Sequence, residues 1–472
     1  MKPGTYCTAA LLIMLRFTPV FGQDIPTARL DSLTTKAVDM GIFSGNVLLE
    51  KDGKVVYERS TGMADAAHQV KNDPATLFQI ASITKDFTRT MVLQLEEQGK
   101  LSLADPLGKY LAGFSPDVAA VTIHQLLYFT AGLGDYHQSE GYRAMASRVV
   151  SISDIISLVS QEKLAFAPGS RFRYSNSSYV VLAAILEKIT GKTYVQCLKE
   201  MILDKCGMTH TGATGIPPIL SGQAKGYMTH EIGPVNENSE VVLSCTGDGG
   251  LYMDTHDLLA FVRTLFRTNV LLSDSGKLKF VARPMAAQQT TSWKDFASMG
   301  RHAAAGGAPG VSAVYAINMK ASTIMIVMSN FDQGTAEDLQ SRIAAILFGM
   351  PLQPLHPPAS KYLFEVIRTK GGAYFEQESE KEMRNSGMEM DDDMVLLSVG
   401  QALRQAGDNP GAISLYKVYT VRFPQIIIAW NELGECQALA GEKEKARVCF
   451  QKALEIQPNN RRALANLEKL RN

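Results

Sequence analysis

The chain has 472 residues, in which 47 basic and 47 acidic side chains cancel and 46% of residues are hydrophobic. That length and apolar content suffice for more than one packed core, and a balanced charge gives no reason to invoke nucleic acid or an anionic membrane as partner. Beyond the first residues, no stretch reaches the roughly 18 uninterrupted apolar residues that a membrane-spanning helix needs.

Residues 1–22 carry Lys2, an apolar core from Cys7 to Leu15 interrupted by Arg16, and a small-residue end at Val20-Phe21-Gly22. This reads as a secretory signal peptide, which predicts an exported, periplasmic or secreted protein. Past it lie Cys197, Cys206, Cys245, Cys436 and Cys449, an odd and sparse set that is no disulfide framework. Cys436 and Cys449 read as small buried apolar residues of one helix pair.

Residues 23–350 carry the chemistry. Ser82-Ile83-Thr84-Lys85 follows the short apolar run Leu77 to Ile80 and precedes Phe87, Met91, Val92 and Leu95 at helical spacing, with Gly99 as a stop. Ser82 is thus predicted near a helix N-terminus, where free N–H groups and the dipole favour developing negative charge. Lys85, three residues on, shares its helix face and is placed to take the hydroxyl proton. Taken alone, a capping serine and a solvated lysine explain the same residues.

About ninety residues further, Pro168-Gly169-Ser170 leads to Tyr174-Ser175-Asn176 and a helical run from Tyr179 to Ile189. Tyr174 offers a second proton carrier and Asn176 an amide; the plainer alternative is a helix cap and a packed ring. The eight histidines contain no His-Glu-x-x-His and no close cluster of ligand spacing, so neither metal nor cofactor is expected. Gly247-Asp248-Gly249-Gly250 lacks the Lys-Ser/Thr of a phosphate loop and reads as a tight turn.

From about Gly45 to Gly349 the chain resembles the serine β-lactamase-related family, which includes class C β-lactamases, D-alanyl-D-alanine carboxypeptidases, D-aminopeptidases and esterases. The resemblance rests on Phe43 to Leu49, Phe78 to Lys85, His124 to Leu133, Cys206 to Met208, Gly247 to Tyr252, Asp257-Leu258 and Gly306 to Gly310, in that order. It implies an α+β domain: an antiparallel sheet flanked by helices, an all-helical lobe beside it, and Ser82 in the cleft between. It further implies two-step acyl transfer, with Ser82 as nucleophile and Lys85 and Tyr174 as a coupled proton-transfer unit. Asn176 would orient the substrate, and the N–H groups of Ser82 and Gly307 would form the oxyanion hole.

One position departs from the family's pattern. Relatives place lysine or histidine two residues before the first glycine of the Gly306-Gly307-Ala308-Pro309-Gly310 turn, and here that residue is Ala304. The nearest imidazole, His302, would reach the site only through a bulge or a two-residue register shift, roughly 6–7 Å along the strand. The alternative is a partly exposed strand histidine and a decayed motif. Loss of the cation predicts a preference for neutral esters or amides over substrates bearing a carboxylate.

Pro351, Pro354, Pro357 and Pro358 mark a stiff linker over 351–360. In 361–472 Gly407 pairs with Gly441, Ala412 with Ala446, Tyr416 with Phe450 and Pro424 with Pro458, each 34 residues apart. That is the tetratricopeptide period, and Trp430 to Gly434 fits the start of its helix pair. Repeats are predicted near 394–426 and 430–460, with 361–389 a degenerate capping pair and 461–471 a capping helix. Such an all-α domain binds a protein partner or simply stabilises the molecule. The sequence as a whole predicts an exported serine hydrolase acting on an ester, amide or peptide bond of a small-molecule or peptide substrate. Its alternative is a catalytically weakened scaffold that binds a partner through the repeats.

Overall fold

The computed structural model describes residues 25–145, 150–214, 221–228, 236–237, 244–283, 285, 290–388 and 392–470. The proposed signal peptide lies outside the described residues. Five strands form the main sheet: β1 (Gly45–Lys51), β2 (Lys54–Thr61), β3 (Arg301–Ala308), β4 (Val311–Asn318) and β5 (Thr323–Ser329). Their order is β3-β4-β5-β1-β2, and every pair is antiparallel.

Alternation along the strands sends successive side chains to opposite faces, and both faces are covered. Ala313, Tyr315, Ile317, Ile324, Ile326 and Met328 join the larger core. Val314, Met325 and Val327 join a second cluster, which packs on α1 (Thr27–Asp39) through Leu30, Leu33 and Ala37. A long stretch of chain between β2 and β3 builds a helical lobe on the first face. Its main helices are α2 (Thr84–Glu97), α3 (Asn176–Thr190) and α4 (Thr255–Arg267). Phe87, Met91, Val92 and Leu95 of α2 are buried in that core, as the helical spacing predicts.

After α5 (Thr335–Phe348), which covers the outer face, residues 351–358 have no regular structure. Two contacts hold them down: Arg342 donates to the carbonyls of Gln353 and Pro354, at 2.6 and 2.9 Å, and Leu355 packs on the outer cluster.

Seven helices follow: α6 (Ala359–Lys370), α7 (Gly372–Asn385), α8 (Asp393–Gln405), α9 (Asn409–Arg422), α10 (Ile427–Leu439), α11 (Lys443–Ile456) and α12 (Arg461–Lys469). Ala412 and Ala446 are fully buried, as are Tyr416 and, nearly so, Phe450. Each ring lies against a glycine of the preceding helix. A Cβ on Gly400 would stand 2.3 Å from the Tyr416 ring and one on Gly434 2.7 Å from Phe450, so small residues set the helix approach twice, 34 positions apart. The fold is an α+β domain followed by an all-α region, as the resemblance and the repeat period imply. All five cysteines within the described residues are free.

Candidate active site

Ser82 lies in a 3-10 turn, Ala81–Ile83, that runs into α2, rather than in the first turn of the α-helix itself. The turn is fixed from two sides. Ile80 donates its N–H to Leu251 O at 3.0 Å, and Ala81 takes a left-handed backbone with φ 41°. The other side is edge strand β3, which packs directly on the turn. A Cβ on Gly306 would stand 2.1 Å from Ile80 O and 2.7 Å from Ser82 N, so only glycine permits that approach.

Two segments distant in sequence meet at the Ser82 hydroxyl. Lys85 Nζ donates to Ser82 Oγ at 3.1 Å, and Tyr174 Oη donates to the same oxygen at 2.8 Å. The lysine is buried, and its ammonium lies 5.0 Å from the centre of the Tyr174 ring. Its second partner is Asp248 O, at 2.6 Å, in the glycine-rich turn that the sequence marked only as a turn. Gly247 and Gly250 hold φ of 91° and 89° there. The Asp248 carboxylate is anchored by Tyr136 Oη at 2.9 Å and Thr246 Oγ1 at 2.7 Å, which aims the neighbouring carbonyl at the lysine. Nothing in residue type announces a carbonyl's role, so sequence reasoning passed it by.

Tyr174 precedes α3, whose N-cap is Ser175: its hydroxyl accepts from Ser178 N. Asn176 is therefore not the cap. Its Nδ2 donates to Asp135 Oδ2 at 2.9 Å and lies 3.0 Å from His137 Nδ1, and Asn176 is not among the described residues lining the cleft. Asp135 stays below the usual carboxylate range; burial opposes this, and His137 and Asn176 outweigh it.

The β3–β4 register runs one-to-one from Arg301 to Ala308 with no bulge. Ala304 thus keeps its place opposite Tyr315, and no register shift brings a cation to it. His302 lies two residues along on the same face and lines the same cleft. Its neighbour is Asp86, with Nε2 3.9 Å from Asp86 Oδ2, too long for a hydrogen bond. Gly307, the residue after the Gly306 contact, pairs with Ser312.

The cleft, about 500 Å³, is lined by three charges that the sequence reading did not single out, Arg283 and, on helix α2, Asp86 and Arg89. Asp86 and Arg89 fall four and seven residues after Ser82, and that helical spacing was the signal available. Burial works to raise the Asp86 pKa, yet His302, Arg89 and the 2.7 Å hydrogen bond from Tyr315 Oη together hold it below the ordinary range. Arg89 donates from Nε to Tyr179 Oη and from Nη1 to Phe280 O, both at 3.1 Å. Burial pushes the Tyr179 phenol up to about 12.

A serine hydroxyl within hydrogen-bond reach of an amine and a phenol, at the mouth of a cleft between sheet and helical lobe, defines a serine hydrolase. Residues 30–348 match the beta-lactamase family and residues 427–460 a tetratricopeptide repeat. The chain belongs to the beta-lactamase family. It is 28% identical over 288 residues to the putative penicillin-binding protein PbpX of Bacillus subtilis, covering 61% of this chain and 71% of that one. It is 28% identical over 255 residues to the teichoic acid D-alanine hydrolase of Staphylococcus aureus, covering 52% of this chain and 62% of that one. The penicillin binding protein from Bacillus halodurans superposes with a TM-score of 0.59 at 26% identity, over 66% of this chain and 99% of that one. No helix among the described residues is long and apolar enough to cross a membrane, and no group of possible metal ligands occurs among them.

Proposed function

We propose that the protein is an exported enzyme that hydrolyses a neutral ester or amide through an acyl-enzyme on Ser82. The observation that carries this is the position of Ser82 Oγ between Lys85 Nζ and Tyr174 Oη. Oγ attacks the substrate carbonyl while its proton passes to the lysine–tyrosine unit. The oxyanion is held by the N–H groups of Ser82 and Gly307, whose strand is kept against the turn by Gly306. Collapse breaks the bond to the leaving group, which takes the proton through Tyr174, a residue 43% exposed at the cleft mouth. Water then attacks the acyl-serine, gives its proton to the same unit, and restores Ser82 as the acid departs. With its amide engaged by Asp135 and His137, Asn176 serves by fixing the turn that presents Tyr174.

Ala304 argues for neutral substrates, because it supplies no cation to a substrate carboxylate. The hydrolase of the teichoic-acid relative points to an acyl ester of the cell envelope, and the leader-like residues 1–22 to export. The repeat helices are read as a protein-binding module. Support is the open groove between α7 and α9, about 840 Å³, where Val421 is 82% exposed beside Glu376 and Lys417.

Steady-state hydrolysis of p-nitrophenyl esters tests the mechanism. Ser82→Ala is expected to abolish turnover, while Lys85→Ala and Tyr174→Phe each lose roughly a thousandfold in kcat. The Lys85→Ala/Tyr174→Phe double variant should lose little more, because residues acting as one unit are not additive. Losses that multiplied would contradict the coupled proton transfer. Full activity in Ser82→Ala would refute the nucleophile, and a wild type without turnover would leave the weakened scaffold.

A further inference from the structure

The mechanism leaves Asp86 and His302 unused, although both line the catalytic cleft. Strand β3 packs on the Ala81–Ile83 turn and brings His302 within 3.9 Å of Asp86 at the start of α2. Gly306 lies on the Ser82 end and His302 on the Asp86 end, and Ala304 stands between them with only a methyl group. A side chain at 304 larger than alanine would fill the space between nucleophile and charged pair. Alanine leaves it open.

The pair has unspent hydrogen-bonding capacity. Among the described residues, the one hydrogen bond recorded on the Asp86 carboxylate comes from Tyr315 Oη. His302 Nε2 is buried with no partner among them. An unpaired buried polar atom is costly, and a ligand group that satisfies it recovers that cost on binding.

Charge decides which ligand group fits. A carboxylate would meet the Asp86 carboxylate at close range in a partly desolvated cleft. An ammonium would join three cations already lining the cleft, Arg283 and, on one helix face, Lys85 and Arg89. An uncharged group with both donor and acceptor can donate to Asp86 and pair with the imidazole without adding charge.

We propose that Asp86 and His302 form a specificity subsite at the inner end of the cleft, reached past Ala304, that takes a carboxamide or hydroxyl of the acyl group and rejects a carboxylate. The subsite rests on the reading of Ser82 as the nucleophile. It lies roughly 6 Å along the helix axis from Ser82, from four residues of helical rise, so a short acyl chain spans the two.

The test uses the full-length protein and p-nitrophenyl esters of one chain length ending in carboxamide, carboxylate or methyl, with Ser82 acylation by a fluorophosphonate measured alongside. In the wild type, kcat/KM for the carboxamide ester should exceed that for the carboxylate ester by about tenfold or more. Asp86→Asn retains an oxygen for Tyr315 and should cut that ratio to below about threefold, mainly by raising turnover of the carboxylate ester. Ala304→Leu should remove the advantage of carboxamide over methyl while Ser82 still takes the label, and it decides the matter alone if Asp86→Asn does not fold. Unchanged ratios with normal labelling would overturn the subsite and leave the nucleophile standing. A wild-type Ser82 that takes no label would overturn both.

Discussion

Ala81 holds a left-handed backbone, at a cost of about 1–2 kcal/mol for a residue with a Cβ, immediately before the serine. That strain is tolerated because Leu251 and Gly306 clamp the turn from either side. Gly306→Ala should therefore be severe: its methyl would collide with backbone atoms, which have no rotamer to change. We expect a loss of at least about 2 kcal/mol in thermal unfolding and roughly a hundredfold in ester turnover, as the strand is forced off the Ser82 N–H. Wild-type activity in this variant would remove Gly306 from the account. At this scale, what the sequence disclosed was residue type and order. Ser82, Lys85 and Tyr174 stand out because their chemistries are scarce at that spacing, whereas the Asp248 carbonyl belongs to a backbone that every residue shares. Asn176 is the converse case. Its amide suggests a substrate contact, but the structure gives it to Asp135 and His137, which no local pattern connects to it.

The helical repeats show how one position changes an element. Glu382 stands 34 residues before Tyr416, where both repeats place a buried ring, and Glu378 stands 34 before Ala412. Helix α7 departs from helical geometry at Glu378, with φ −108° and ψ 15°. The carboxylate of Glu382 replaces the ring with polar stitching: it accepts from Tyr374 Oη at 2.6 Å, Tyr362 Oη at 2.7 Å and Lys370 Nζ at 3.1 Å, tying α6 to α7. The Tyr374 hydrogen bond leads in lowering its pKa from 4.5 to about 2; Tyr362 and Lys370 reinforce it against burial. A depressed carboxylate stabilises the fold fully above its unfolded pKa and loses that contribution as pH falls through its folded one. The helical region should accordingly weaken between about pH 4.5 and 2, and Glu382→Gln should flatten that dependence while lowering stability at neutral pH. Urea midpoints measured across that range check it, and an unchanged acid slope in the variant would contradict it. The 34-residue period made the two matching repeats legible. The first pair was legible only as degenerate, because where the others bury a ring it gathers four donors, Tyr362, Lys370, Tyr374 and Asn385, around one acid.

Across the whole molecule, the site exists because the chain returns to one place from distant segments. Ser82 is bonded to Tyr174, 92 positions on, and Lys85 to Asp248, 163 positions on, with edge strand β3 closing the cleft. The order of the motifs carried the fold class, since the antiparallel sheet and helical lobe follow from the family to which the chain belongs. The register of β3 was not decided by sequence: a run of alanines from Ala303 to Ala305 has no side chain distinctive enough to fix it, and the unbroken pairing with β4 does so in the structure. The central claim is a covalent acyl-enzyme on Ser82, and intact-mass spectrometry of the full-length protein after a fluorophosphonate tests it most directly. The account predicts one adduct per chain, mapped by peptide sequencing to Ser82, absent in Ser82→Ala and much slowed in Lys85→Ala. An unmodified wild-type protein, or an adduct that persists in Ser82→Ala, would contradict it.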